Sequence, residues 1–161
     1  SYGLLQDTEL PRVELSDDAG FVKVIAGKYM INSVEVSSAM PLYNPLTIYH
    51  LRLNAHAEAD IWLDPDFHAV LYLASGKLLV GEAETELNEA ELGILSNSAN
   101  QNELAVFCQN PTDTAIDALF LAGKPLGEPI VMNGPFVMNS KEGIVRAYQD
   151  FQAGKYGVIE R

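Results

Sequence analysis

The sequence predicts an all-β sandwich or barrel finished by one C-terminal helix. Three observations carry this expectation. Short β-type runs bounded by turn residues recur about every 8–12 residues between Val13 and Ala122, the spacing of antiparallel sandwiches and barrels. No helical period competes with them in that region. A single capped, amphipathic stretch then follows near the C-terminus.

In chain order the expected strands are Phe21–Ala26, Thr47–Leu53, Ala57–Trp62, His68–Leu73, Lys77–Val80, Glu84–Leu87, Gly93–Ser96, Leu104–Cys108 and Ala115–Ala122. Turn residues separate them: Asp17-Asp-Ala-Gly20, Asp64-Pro-Asp66, Ser75-Gly76, Gly81-Glu82, the polar run Asn97–Asn102, and Asn110-Pro-Thr-Asp113. Thr47–Leu53 alternates, with Tyr49, Leu51 and Leu53 on one face and His50 and Arg52 on the other. Ala69–Leu73 and Ala118–Ala122 are apolar on both faces, as central strands of a two-layer sandwich are. Beyond Ala122, Pro125, Pro129 and Pro135 with Gly127 and Gly134 predict an extended, irregular segment that cannot form a central strand. Asn139 is the expected cap of a helix over about Ser140–Ala153, with Glu142 as its reciprocal partner. Ile144, Ala147, Tyr148 and Phe151 form its apolar stripe, and Gly154 suits the position just past its end. One domain over residues 1–161 is expected, with the barrel at about 13–122 and the tail and helix at about 123–157.

Composition narrows the function. Twenty-two acids against 10 bases give a formal charge of −12, and no basic cluster interrupts the acidity, so direct nucleic-acid binding is excluded. Glu82, Glu84, Glu86, Glu89 and Glu91 read as a solvated hairpin edge. No apolar run of about 18 residues is present to span a membrane, and the opening Ser1-Tyr-Gly-Leu-Leu-Gln-Asp7 does not read as a signal peptide. Cys108 is alone in the apolar run Leu104–Cys108, which predicts a buried, unreactive thiol and a cytoplasmic setting.

The segment Gly123-Lys-Pro-Leu-Gly-Glu-Pro-Ile-Val-Met-Asn-Gly-Pro-Phe-Val-Met-Asn-Ser-Lys-Glu142, continued by Gln152-Ala-Gly-Lys-Tyr-Gly157, resembles the close of the second cupin domain of the pirin family. Asp7–Val13 resembles the lead-in to that barrel. Val22–Gly27, Ile48–Leu53 and Phe67–Gly76 resemble its strands. The resemblance runs from about Asp7 to Tyr156 and implies a cupin-type double-stranded β-helix, or jelly roll. Pirins have two cupins and carry their metal in the N-terminal one. Some resemble quercetin 2,3-dioxygenases, and eukaryotic members act as nuclear cofactors of transcription.

A catalytic cupin holds a divalent ion with three His and one Glu. Counted back from Gly76 in the spacing of the metal-bearing pirin domain, the His-x-His slots fall on Trp62 and Asp64 and the Glu slot on His68. The last His slot falls near Leu104. Two apolar residues replace required ligands, so no catalytic residue and no cofactor is assigned. The alternative is an unusual iron, nickel or copper site on Asp64, His68 and Glu103. Tyr49, Trp62, His68 and Tyr72 are candidates to line a small-molecule pocket at the barrel mouth, unless these aromatics fill the interior. Pro135, Phe136, Ile144, Tyr148 and Phe151 are the candidate docking residues, toward an N-terminal cupin or a second copy in a homodimer.

Overall fold

In β5 (Leu46–Leu53) every second side chain is buried, from Thr47 through Tyr49 and Leu51 to Leu53. The same alternation organises the computed structural model, which describes residues 4–95 and 104–157. Twelve described strands lie in one compact unit, Ser1–Pro125. They are β1 (Arg12–Glu14), β2 (Gly20–Ala26), β3 (Lys28–Ile31), β4 (Val34–Ser37), β5, β6 (Glu58–Leu63), β7 (His68–Ser75), β8 (Lys77–Val80), β9 (Thr85–Asn88), β10 (Leu92–Leu95), β11 (Leu104–Gln109) and β12 (Ile116–Gly123). A second unit, Leu126–Arg161, holds β13 (Val131–Asn133), β14 (Phe136–Met138) and α1 (Lys141–Gln152).

Ten of the twelve strands form two antiparallel sheets. One has six strands in the order β1-β2-β5-β12-β7-β10, the other four in the order β6-β11-β8-β9. Their inner sides share one core. Val22, Val24, Leu51, Leu71, Leu73 and Phe120 come from the first sheet, and Ile61, Leu63, Leu78, Leu87, Val106 and Cys108 from the second. Removing such side chains from water stabilises the sandwich by roughly 1.5–3 kcal/mol each. The central strands β12 and β7 are the two runs apolar on both faces. This is the jelly roll that the strand spacing and the resemblance lead one to expect. Where β7 turns into β8, Gly76 has φ +86°, and a Cβ there would lie 2.5 Å from Ile116 Cγ2, so the turn requires glycine.

Two hairpins go beyond the sequence-based expectation. β3 and β4 pair across Asn32-Ser33, both with positive φ, a primed turn built without glycine. In the tail, β13 and β14 pair across Gly134-Pro135. The helix begins one residue later than expected. Ser140 is the N-cap, its Oγ accepting the Gly143 N–H at 3.0 Å, while Asn139 donates to Glu128 at 2.7 Å. Gly154 follows the last turn with φ +73°, as expected of a C-terminal glycine.

Asn110 is fully buried where β11 ends. Its amide donates to the carbonyls of Leu53, Asn54 and Thr114, and its Oδ1 accepts from the Thr112 N–H and hydroxyl. Its own N–H bonds the Ala57 carbonyl at 2.9 Å. One side chain thus ties the β5–β6 turn to the β11–β12 turn and fixes how β6 leaves the barrel mouth.

Candidate ligand cleft and docking faces

β6 is an edge strand, bonded to β11 on one side only. Along its free side, facing the β3–β4 hairpin and the loop that follows it, runs a cleft of about 1380 Å³. Alternation decides what the cleft meets. Ile61 and Leu63 turn into the core, whereas Glu58, Asp60 and Trp62 turn outward, followed by Asp64 just beyond the strand. Tyr29 and Tyr49 form the floor, their rings edge to face at 5.1 Å, and the Tyr49 hydroxyl donates to the Lys28 carbonyl. Burial pushes both phenols up to about 12, so they stay neutral donors at any physiological pH. Phe67, Met30 and Met40 add apolar wall.

The cleft gathers Tyr49, Trp62 and Asp64 from the sequence-based candidates and leaves out two others. His68 and Tyr72 lie on β7 with Val70, opposite the buried Ala69, Leu71 and Leu73. They belong to the outer face of the six-stranded sheet and do not line the cleft. Tyr29 and Asp60 were missed because they depend on the unrecognised β3–β4 hairpin and on the parity of β6.

The counted metal slots lie off the core face of β6. Trp62, on β6, and Asp64, just beyond it, are exposed; the buried positions of β6 are Ile61 and Leu63, both hydrocarbon. His68 is exposed on the outer face. Asp64 Oδ1 accepts the Asp66 N–H at 2.9 Å, closing the turn at Pro65. Glu103 lies outside the described residues. Among the described residues no three His, Cys, Asp or Glu side chains converge as a metal would need. The inward side of β11 offers Val106 and a buried Cys108, whose thiol burial pushes up to about 12, opposite to a thiolate ligand. These residues do not fit the three-His, one-Glu centre of catalytic cupins.

The outer face of the six-stranded sheet is two-sided in character. Toward β1, Arg12 stacks 3.8 Å over Phe21, and His50 and Arg52 share Asp117, each at 2.7 Å. Lys23 pairs with Asp7 and holds that carboxyl below its usual range. Toward β10 the surface is hydrocarbon: Val70, Leu119 and Leu121, then Leu92 and Ile94, the last 81% exposed.

Within Leu126–Arg161 the candidate docking residues form a small aromatic assembly. Phe136, next to Pro135 in the β13–β14 turn, meets Tyr148 at 4.9 Å and Phe151 and Tyr156 at 6.2 Å each. The Tyr148 hydroxyl lies 3.2 Å from Asn133 Oδ1. Ile144 is buried, whereas Phe151 remains 63% exposed. The stripe is therefore partly used within its own unit, and Phe151 is its open end.

Comparison with known proteins agrees with this architecture. Residues 48–157 match the Pirin C-terminal cupin domain. A Pseudomonas aeruginosa protein provisionally named a quercetin 2,3-dioxygenase is 32% identical over 155 residues, 96% of this chain and 50% of that protein. Mouse pirin is 27% identical over 158 residues, 97% of this chain and 51% of its own length. The crystal structure of a quercetin 2,3-dioxygenase from Acinetobacter baumannii superposes with a TM-score of 0.78 at 27% identity, covering 99% of this chain and 52% of that one. The chain thus spans about half the length of the curated relatives it matches. Among the described residues no helix is long and apolar enough to cross a membrane. Taken with the jelly roll and the closing β13–β14–α1 unit, these matches place the chain in the pirin family, as a C-terminal cupin domain.

Proposed function

We propose that this domain is a metal-free cupin module that acts by docking on another cupin barrel, with a small-ligand role at its own cleft. One observation carries the reading: Trp62 and Asp64 stand at the counted His-x-His slots, and the core positions around them, Ile61, Leu63, Val106 and Cys108, offer no His or carboxylate. A barrel filled with hydrocarbon serves as scaffold and surface, and it has no centre for activating oxygen. The docking surfaces are the hydrocarbon end of the six-stranded sheet and, in the C-terminal unit, Phe151. Exposed apolar patches of this kind mark contact sites more often than chance. The partner is a separate cupin barrel or a second copy of this chain; the charge of −12 weighs against the second. The buried, lone Cys108 suits a reducing cytoplasm.

Sedimentation tests the docking reading. The chain is measured alone and mixed with the N-terminal half of a two-cupin relative, beside the variants Ile94→Asp and Phe151→Asp. Association that either variant weakens supports the proposal. A monomer that ignores the added barrel at up to about 100 μM ends it.

A second reading is favoured by the names of the relatives and by the half-length match. In it, the chain is half of a quercetin 2,3-dioxygenase-like oxygenase whose metal sits in the other barrel. Turnover of quercetin by the mixed halves but not by this chain would support it; turnover by neither would remove it.

A further inference from the structure

We propose that the cleft along the free edge of β6 is a binding site for a small organic cation, held against the Trp62 indole by Asp60 and Asp64. Trp62 is the largest side chain of β6, yet it is 39% exposed while its neighbours Ile61 and Leu63 are buried. It is flanked at spacing two by Asp60, on the same outward row of β6, and by exposed Asp64 just beyond the strand, which keeps its negative charge while its Oδ1 accepts the Asp66 N–H. Among the described residues no Lys, Arg or His ion-pairs with Glu58, Asp60 or Asp64. The two bases at the cleft are engaged elsewhere, Lys28 by Glu35 at 3.0 Å and His56 by Asp113 at 2.8 Å. The field over the indole is therefore negative and uncompensated.

An indole face attracts a cation most strongly among aromatic rings, and flanking carboxylates add to that attraction. Acidic residues on an edge strand also guard against strand addition, but a guard needs neither an exposed tryptophan nor a cleft. The volume exceeds that of an ordinary drug-sized pocket, so a small ligand fills only the Trp62 end. Tyr29 and Tyr49, nearly buried beneath the cleft, give its base a rigid aromatic backing. This inference rests on the small-ligand reading of the cleft and stands apart from the docking reading, which concerns a different face.

Trp62 is the only tryptophan of the chain, so fluorescence excited at about 295 nm reports on this site alone. Benzyltrimethylammonium is titrated into the intact chain, with benzoate and benzyl alcohol as anionic and neutral controls, and calorimetry repeats each titration. Saturable binding of the cation is expected, with the controls at least about tenfold weaker. Asp60→Asn and Asp64→Asn should each weaken binding about two- to fivefold and flatten its salt dependence, as partly exposed charges do. Trp62→Leu, followed by calorimetry, should weaken it about tenfold. Both Asp positions are exposed, so those variants keep the fold. No saturation below about 10 mM, or equal binding of benzoate, or indifference to both Asp substitutions would overturn the proposal.

Discussion

Replacing Asn110 with Ala should cost far more than a polar-to-apolar change usually does. The side chain is 0% exposed and takes part in five hydrogen bonds, three donated to the carbonyls of Leu53, Asn54 and Thr114 and two accepted from Thr112. Alanine removes all five together. Each bond contributes about 0.5–1.5 kcal/mol net, and buried carbonyls stripped of their donor cost about 1–3 kcal/mol unless water enters. Water entering behind the β5–β6 turn repairs part of this, so we expect a loss of about 3–5 kcal/mol. In a domain of this size that is a fall in Tm of roughly 6–20 °C. Urea denaturation followed by far-UV circular dichroism gives the energy directly, with m unchanged if the native state stays compact. Because Asn110 also sets the start of β6, Trp62 fluorescence in the folded variant should shift toward that of a more solvated indole. A loss below about 1 kcal/mol with unchanged Trp62 emission would refute the view that this residue ties the two turns together.

Three further outcomes follow from particular residues. Tyr29, Tyr49 and Cys108 have folded-state pKa values raised to about 12 from 10.0, 10.0 and 9.0, so each keeps its full stabilising effect below its unfolded value and loses it as pH climbs toward 12. Stability should therefore fall between about pH 9 and 12, by about 3 kcal/mol per tyrosine, and Tyr49→Phe should make the fall shallower in pH-resolved urea titrations. Gly76→Ala should destabilise by at least about 1–3 kcal/mol, because φ is positive and the new Cβ meets Ile116, with melting temperature as the readout. Ser140→Ala should cost about 1 kcal/mol of helix stability, seen as faster amide exchange at the start of α1 and none in the barrel.

Parity explains much of what the sequence revealed and what it hid. Thr47–Leu53 alternates in polarity, so the inward set Tyr49, Leu51 and Leu53 was legible and the strand ends were off by one residue at most. Ala69–Leu73 is apolar on both faces, and nothing in it says which side holds Tyr72; the outer placement of Tyr72 and His68 follows from register with β12. Counting from Gly76 puts the slots on Trp62 and Asp64, and only the folded strand shows that the buried positions of β6 are their neighbours Ile61 and Leu63, since adjacent residues face opposite sides. The β3–β4 hairpin escaped notice because Asn32-Ser33 adopts positive φ without the glycine that normally announces such a turn. Pro135 lies in the β13–β14 turn, outside the ladder, so its missing N–H breaks no bond and the tail forms a two-stranded hairpin of its own. The cap moved from Asn139 to Ser140 because Glu128 engages the Asn139 amide.

The measurement that bears most directly on the hydrocarbon-filled barrel is metal content. The chain is purified without chelator, equilibrated separately with iron(II), nickel(II) and copper(II), desalted, and assayed by mass spectrometry beside a full-length two-cupin relative. The account predicts far less than one ion per chain for this domain, unchanged by His68→Ala, and about one per chain for the relative. A stoichiometric ion in this chain that disappears with His68→Ala or Asp64→Asn would contradict it.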